Sequence, residues 1–390
     1  MQRPTHILWV IVFAQFCCTS LWFAGNGVLT QLSDAFQLPE QALGYLTSAV
    51  QFGFIIGTLL FAIVTIADRF SPSKVFFICS LLGASINLGM LWSGNTLPSL
   101  VLIRFLTGFF LAGIYPVGMK IAADYYKKGL GRSLGYLVGA LALGTAFPHF
   151  VSSFSAEISW QWVVGITSGI AVLGGFVLNL LVPDGPYRTA AIQLKFTAIP
   201  QIFQNKKFRN AAVGYFGHMW ELYAFWAFVP FILNAYAQDQ SIPLNTSLWS
   251  FLVIAIGALG CILGGYISNA FGTKKVATTA LLISGICCVA SPFLYATPPF
   301  IFIPFLLLWG IAVIADSPMF STLVAHNTQP DNKGTALTIV NSIGFAVSIV
   351  GIQVVATLSE TIAPQFILVV LTLGPLFGLF FFLKSKKCVM

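Results

Sequence analysis

The stretch GYFGHMWELYAFWAFVP, Gly214 to Pro230, reads as the middle of a membrane span, yet it carries His218 and Glu221 one helical turn apart. An ionisable side chain in a lipid-spanning helix costs roughly 2.5–3.5 kcal/mol even on lenient insertion scales, so it faces a cavity or a partner. His218, Glu221, Leu222 and Phe225 fall at i, i+3, i+4 and i+7, which places both ionisable groups on one helical face. Two readings follow: a structural pair satisfied between packed helices, or a proton- or substrate-binding pair in a transport pathway.

The composition around that stretch admits only a membrane protein. Of 390 residues, 57% are hydrophobic and 8% charged, with a mean hydropathy of +0.89, whereas soluble domains carry about a quarter charged residues. Cys17, Cys18, Cys79, Cys261, Cys287 and Cys288 lie inside apolar runs without metal-ligand or disulfide spacing, and read as small packing residues. No cofactor or metal is expected. Ile7–Leu29 is too long and too polar-spotted for a signal h-region and reads as the first span.

Eleven further spans can be marked: Leu43–Ile66, Val75–Trp92, Leu100–Ile121, Ser133–Phe154, Trp162–Leu181, Ala211–Ala235, Leu248–Ser268, Val276–Tyr295, Phe300–Leu323, Thr335–Thr357 and Gln365–Leu383. The opening stretch is thus the core of the seventh. Between the sixth and seventh spans hydropathy falls and basic residues gather, which divides the chain into residues 1–182, a linker 183–209, and residues 210–390. Eighteen of the nineteen basic residues, Arg3, Arg132, Lys195 and the tail Lys384–Lys387 among them, fall on one side; the opposite loops hold Asp34, Glu40, Glu157, Asp239 and Glu360. By the positive-inside rule both termini and the linker are cytoplasmic. The net charge of +8 is therefore a topology signal, and no nucleic-acid partner is expected.

The two halves echo each other. Asp68 matches Asn269, and Leu21–Trp22 matches Leu222–Tyr223, at an offset of 201; Pro116 matches Pro318, and Arg132 matches Gly334, at 202. A six-plus-six parallel repeat is the pattern of transporters whose substrate lies between two bundles. The fold expected is all-α, with twelve transmembrane helices in two six-helix bundles.

On these residues the chain resembles the major facilitator superfamily along essentially its whole length. The family's signature after the second span is glycine, three residues, Asp-Arg, one residue, glycine and basic residues. The first copy here is Asp68-Arg69-Phe70-Ser71-Pro72-Ser73-Lys74, with Val64 and Ser71 where glycines are usual; the second keeps Gly265, Asn269, Gly272, Lys274 and Lys275 but lacks the acid. The resemblance implies a cytoplasmic gate at Asp68, Arg69, Lys74, Asn269 and Lys274. Arg104 and Gly108 match a further family motif, an arginine in the fourth span followed four residues later by glycine. Arg104 cannot be deprotonated and needs an acid, carbonyl groups, water or an anionic substrate; snorkelling outward is its alternative. Nitrate/nitrite porters of the superfamily carry arginines in the second and eighth spans, where this chain has none. Drug–proton antiporters carry a glycine-rich fifth-span motif, which Gly135 and Gly144 match in spacing and Ala146–His149 does not. GHMWELY (Gly217–Tyr223) with VIADSP (Val313–Pro318) is similar to a bacterial subgroup described only as transporters.

The function expected is a secondary active transporter, not an enzyme, moving a small polar or anionic solute across the inner membrane by alternating access with proton coupling. Glu221 with His218 would bind protons, Arg104 and His149 would meet negative charge, and Asp316 would be a second protonation site or a tie. Gln15, Trp22, Tyr223 and Asn341 would line the site. For Asp316, repair of the backbone defect at Pro318 is the alternative, and for His149 simple packing. An uncoupled facilitator, a drug or metabolite exporter, and a non-transporting sensor are the competing functions. The partners expected are a small solute, protons and the lipid bilayer, with the chain a monomer.

Overall fold

The computed structural model describes residues 5–126, 130–154, 159–188, 194 and 196–383. Arg3, Lys127, Lys128, Glu157, Lys195 and the tail Lys384–Lys387, used above for topology, lie outside the described residues, as does the side chain of Arg132. All regular structure among the described residues is helical. Apolar length explains this: a backbone in hydrocarbon must satisfy its own hydrogen bonds, and a helix does so within one segment.

Ten helical segments are long and apolar enough to cross a membrane. Two further crossings complete the twelve of a two-bundle membrane fold, and both depart from the simple pattern. The first is α1 (Thr5–Thr19), only 15 residues long. The expected span Ile7–Leu29 is not one helix: the chain turns over residues 20–25, then passes through a 3-10 turn (Asn26–Val28) into α2 (Leu29–Phe36). Leu32 of α2 is fully buried in a cluster with Val28, Leu46, Met90, Leu100, Val151, Val163 and Val164, which seats the stretch expected as a loop. The other is the seventh span, described below.

The chain falls into two compact units, Met1–Ala191 with Asn245–Ala255, and Ile192–Leu244 with Ile256–Met390. In the first unit follow α3 (Ala42–Val64), the short α4 (Ile66–Arg69), α5 (Pro72–Leu88), α6 (Leu97–Leu111), α7 (Tyr115–Tyr125), α8 (Leu130–Ser152) and α9 (Trp160–Leu181). The fourth span is α6 with α7, broken just before Pro116, which cannot donate a backbone hydrogen bond. A side chain at Gly108 would collide with the Val50 carbonyl, so the family glycine lets α6 lie directly on α3.

The second unit begins with α10 (Ile199–Gln204) inside the expected linker. It continues with α11 (Lys206–Asp239), whose first turn is capped by Asn205 Oδ1 accepting from the Lys207 and Phe208 amides at 3.0 and 3.4 Å. At 34 residues and about 1.5 Å per residue α11 is longer than a bilayer core, and it begins five residues before the expected span. After α12 (Thr246–Ala255), which groups with the first unit, come α13 (Gly257–Phe271), α14 (Thr273–Tyr295), α15 (Pro299–Ala315), α16 (Ser317–His326), α17 (Lys333–Thr361) and α18 (Leu373–Leu383). Large apolar side chains such as Phe293, Phe300 and Phe377 remain exposed on α14, α15 and α18, as lipid-facing surfaces require.

Candidate functional site

Helix α11 packs its polar face inward. His218, Glu221, Leu222 and Phe225 are all buried, the first two to 1% exposure, as their shared helical face predicts. The helix is held close to its neighbours by small residues. A Cβ on Gly217 would strike the Gly374 carbonyl, and one on Gly351 would lie 2.5 Å from the Trp220 carbonyl.

The Glu221 carboxylate is met from two other helices. Its Oε1 accepts from Ser284 Oγ and, at 3.3 Å, from Cys288 Sγ, both on α14. Trp309 Nε1 of α15 donates to the same oxygen at 2.6 Å, and the Trp309 ring stacks on Phe225 with centroids 4.4 Å apart. One carboxylate therefore ties three helices. Ser284 and Cys288 stand four residues apart on one face of an apolar span, a polar pattern legible in the sequence but not singled out above.

His218 and Glu221, one turn apart, do not pair with each other. His218 Nδ1 lies instead 2.8 Å from Asp316 Oδ1, and Asp316 is likewise 1% exposed. The approach is that of an ion pair without the alignment of a hydrogen bond, and His218 Nε2 has no hydrogen-bond partner. Asp316 occupies the junction of α15 and α16, where its own carbonyl accepts from the Phe320 amide at 2.9 Å. Pro318 removes the amide that would serve the Ile314 carbonyl; Cys261 Sγ of α13 approaches that oxygen at 3.6 Å. Cys261 thus meets the oxygen that Pro318 leaves, while the Asp316 carboxylate faces His218 and the backbone amides of Asp316 and Ser317. Tyr223 packs its ring on Trp226 and Phe345, at 5.5 and 5.3 Å, and Asn341 of α17 is half-buried.

The first unit holds the buried cation. Arg104 of α6 is fully buried; Nη1 donates to Asn87 Oδ1 at 3.0 Å, and Nη2 donates to the carbonyls of Leu21, at 3.0 Å, and Trp22. Asn87 passes the contact on, Nδ2 donating to Ser168 Oγ at 3.0 Å. Of the partners the sequence allowed, Arg104 takes carbonyls, and it takes those exposed by the break in the first span. It does not snorkel. Its Nε has no partner, and among the described residues no acid pairs with it. Trp22 is buried against Phe54, ring centroids 4.8 Å apart. Gln15 is fully buried with neither amide atom hydrogen-bonded, and His149 Nε2 is buried and likewise unpartnered.

At the end of the first unit that carries the first signature copy, Asp68 pairs with Lys120 at 3.0 Å, and Lys120 with Asp124 at 3.3 Å. Arg188 spans the same region, donating to the carbonyls of Asp68 and Phe70 at 2.8 and 2.7 Å while pairing with Asp184 at 2.5 Å. Arg69 Nε donates to Thr65 Oγ1 at 3.1 Å, and Lys74 is exposed. Lys120 and Arg188, neither of them among the gate residues expected from the sequence, are thus the cations that meet the first copy. The second copy has no such network among the described residues: Asn269 is exposed, and Lys274 lies over the Phe382 ring at 5.1 Å. Gly272 there has φ +87°, whereas Ser71 at the matching place has φ −59° and needs no glycine. Among the described residues no cluster of three His, Cys, Asp or Glu could hold a metal ion.

Three known proteins resemble this chain in sequence or in fold. YceJ of Bacillus subtilis (strain 168), described as an uncharacterized MFS-type transporter, is 22% identical over 366 residues, covering 91% of this chain and 89% of that one. A structure of the nucleoside transporter NupG superposes with a TM-score of 0.73 at 17% identity, over 98% of this chain and 99% of that one. A bacterial homolog of the human lysosomal transporter Spinster gives 0.72 at 16% identity, over 99% and 98% of the two chains. Residues 11–352 match the family model of the Major Facilitator Superfamily. A multi-pass, all-helical chain with buried ionisable groups in both units, matched over that length, belongs to the Major Facilitator Superfamily and is a membrane transporter rather than an enzyme.

Proposed function

We propose that this transporter is a proton-coupled secondary carrier of a small polar or anionic solute, working by alternating access in the bacterial cytoplasmic membrane with both termini cytoplasmic. The observation that carries the reading is the cluster of Glu221, His218 and Asp316, each 1% exposed, in a unit whose ion pairs among the described residues include no Lys or Arg. A buried carboxylate without a cation is expensive, so its charge is sensitive to any proton or solute that arrives. In the first unit Arg104 supports an anionic solute: it is a buried cation with no acid beside it and with Nε–H still to place. His149 adds a second unpartnered nitrogen. An anion moving together with a proton leaves both units with less unbalanced charge than either alone.

The test begins with a thermal-shift screen of carboxylates, phosphates, amides and nucleosides on detergent-purified protein, with Arg104→Lys as control. A ligand of the folded state at about 100 times its Kd stabilises by about 2.7 kcal/mol. An anion that raises Tm in the wild type and fails in Arg104→Lys supports the reading. Its uptake into proteoliposomes should then rise when the pH gradient points inward. Uptake at one rate whatever the gradient would make the protein an uncoupled facilitator.

A further inference from the structure

The second signature turn sits at the foot of an apolar surface. Leu282, Ile286, Val289 and Phe293 of α14 are exposed, and at about 100° per residue all four fall on the helical face of Lys275. Lys275 is itself exposed, so a cation ends the stripe on its own face. Two glycines bring α18 alongside: a Cβ on Gly285 would lie 2.8 Å from Pro375 Cβ, and one on Gly378 3.0 Å from a Leu281 methyl. Leu376 and Phe380 of α18 are exposed and widen the surface. Lys274 closes it at the same end, its Nζ 5.1 Å from the centre of the Phe382 ring near the end of α18.

Neither lysine has a counter-charge. Among the described residues no carboxylate forms an ion pair with Lys274 or Lys275, and Asn269 stands where the first turn has Asp68. The first turn repeats the stripe but not the charge. Lys74, which aligns with Lys275 at the offset of 201, lies at the foot of the exposed Ile78, Leu81 and Leu88 on α5. Three residues before it, however, Ser71 Oγ donates to Asp184 Oδ1 at 2.7 Å, and Asp68 of the same turn holds Lys120 at 3.0 Å. An anion approaching the first turn meets carboxylates. At the second turn it meets two ammonium groups.

We propose that the second signature turn is a seat for one anionic phospholipid, its headgroup phosphate on Lys274 and Lys275 and its acyl chains along the exposed face of α14 and α18. An ammonium has three N–H donors, so a contact with one ring leaves others for phosphate oxygens. Basic side chains at the end of a membrane span attract anionic headgroups, and the long lysine stem lets the charge reach them from an apolar face. The stripe selects a lipid over a soluble anion, because the surface that leads away from the two cations is hydrocarbon in character. With both termini cytoplasmic, this end of the second unit meets the inner leaflet. The lipid is held whatever solute the transporter carries.

Native mass spectrometry of the detergent-purified full chain, titrated with phosphatidylglycerol and with phosphatidylcholine, tests the seat. The first phosphatidylglycerol should bind more tightly than the first phosphatidylcholine. Each basic side chain near a headgroup contributes about fivefold in affinity, so Lys275→Gln should lose about fivefold for phosphatidylglycerol and Lys274→Gln with Lys275→Gln about 25-fold, with phosphatidylcholine unchanged. Lys274→Arg with Lys275→Arg should keep most of the preference, and Lys74→Gln should keep all of it. Lys275→Gln spares the contact with Phe382, and its Tm without lipid should match the wild type. Equal affinity for the two lipids in the wild type, or a preference that survives in the double glutamine variant, overturns the proposal. Equal losses in Lys74→Gln and Lys275→Gln overturn it as well, because the preference would then belong to the positive end of the molecule as a whole. Displacement of the lipid by glycerophosphoglycerol, which has the headgroup and no acyl chains, would make this a site for a soluble anion and not a lipid seat.

Discussion

The first and seventh spans stand at matching places in the repeat, and they solve the problem of a buried charge in opposite ways. The first breaks after Thr19 and offers the carbonyls of Leu21 and Trp22 to Arg104, a cation reaching across from α6. The seventh, α11, runs unbroken for 34 residues and carries its own charge, Glu221, to donors on α14 and α15. Where a helix opens, its backbone supplies acceptors and suits a guanidinium with several donors. Where it stays closed, its backbone has nothing to give, and a carboxylate must find side-chain donors instead. The same position in one repeat thus accommodates opposite charges, and the integrity of the helix decides the sign.

The largest test of this contrast is Arg104→Ala. It deprives the Leu21 and Trp22 carbonyls and Asn87 Oδ1 of a buried donor, each worth about 1–3 kcal/mol when left unsatisfied. A loss of roughly 3 kcal/mol or more is expected in the apparent unfolding free energy in detergent, with a clear fall in Tm. Arg104→Lys should recover only part of it, since an ammonium cannot fork between Asn87 and two carbonyls. An unchanged Tm in Arg104→Ala would mean that the break in the first span stands without its arginine.

Glu221→Ala should cost less, about 1–3 kcal/mol, because it strands donors rather than opening a helix, and two of the three can turn elsewhere. Ser284→Ala and Trp309→Phe should each cost about 0.6 kcal/mol, the scale of hydrogen bonds between transmembrane helices. If Trp309→Phe alone costs as much as Glu221→Ala, the stacking of Trp309 on Phe225, and not the carboxylate, joins these helices. Thermal denaturation of the three variants under one detergent condition decides it.

Much of this was open to reading in the sequence, and the limit has a physical reason. Helical periodicity placed His218 and Glu221 on one buried face, because neighbours three and four apart share a face whatever surrounds them. It could not show that His218 turns to Asp316, 98 residues on, since that depends on where α11 and α15 cross. Arg104 was recognisable as a group needing carbonyls, an acid or an anion. The choice among them turned on the break at residues 20–25, where TSLWFAG (Thr19–Gly25) contains no proline and remains apolar enough to pass for continuous helix. The signature turns were legible as a pair, and the repeat offset aligned them. That only the first copy gathers an ion network depended on Arg188, in a stretch that had looked like mere linker.

A third test sharpens the difference between those two turns. Gly272 has φ +87° and ψ 139°, a conformation that only glycine adopts freely, while Ser71 is in the ordinary negative-φ range. Gly272→Ala should cost about 1–3 kcal/mol. Ser71→Gly should change little beyond the loss of its bond to Asp184, 2.7 Å long and on the surface. Equal effects at the two sites would show that backbone conformation does not distinguish the copies.

The smallest expected effect bears on the acid that the second copy lacks. Asp68 and Lys120 are 24% and 21% exposed, and an ion pair so close to water is worth about 0.2–1 kcal/mol. Asp68→Asn should therefore lower stability by no more than that, and the deficit should fade as salt is raised, because screening weakens the pair in the wild type alone. Lys120 would keep Asp124. The converse change, Asn269→Asp, places an acid in the second copy beside Lys274 and Lys275 but with no counterpart of Arg188 among the described residues to organise it. It should leave Tm within the scatter of repeated measurements. A stabilisation by Asn269→Asp as large as the loss in Asp68→Asn would mean that the carboxylate alone, and not the surrounding network, gives the first turn its strength.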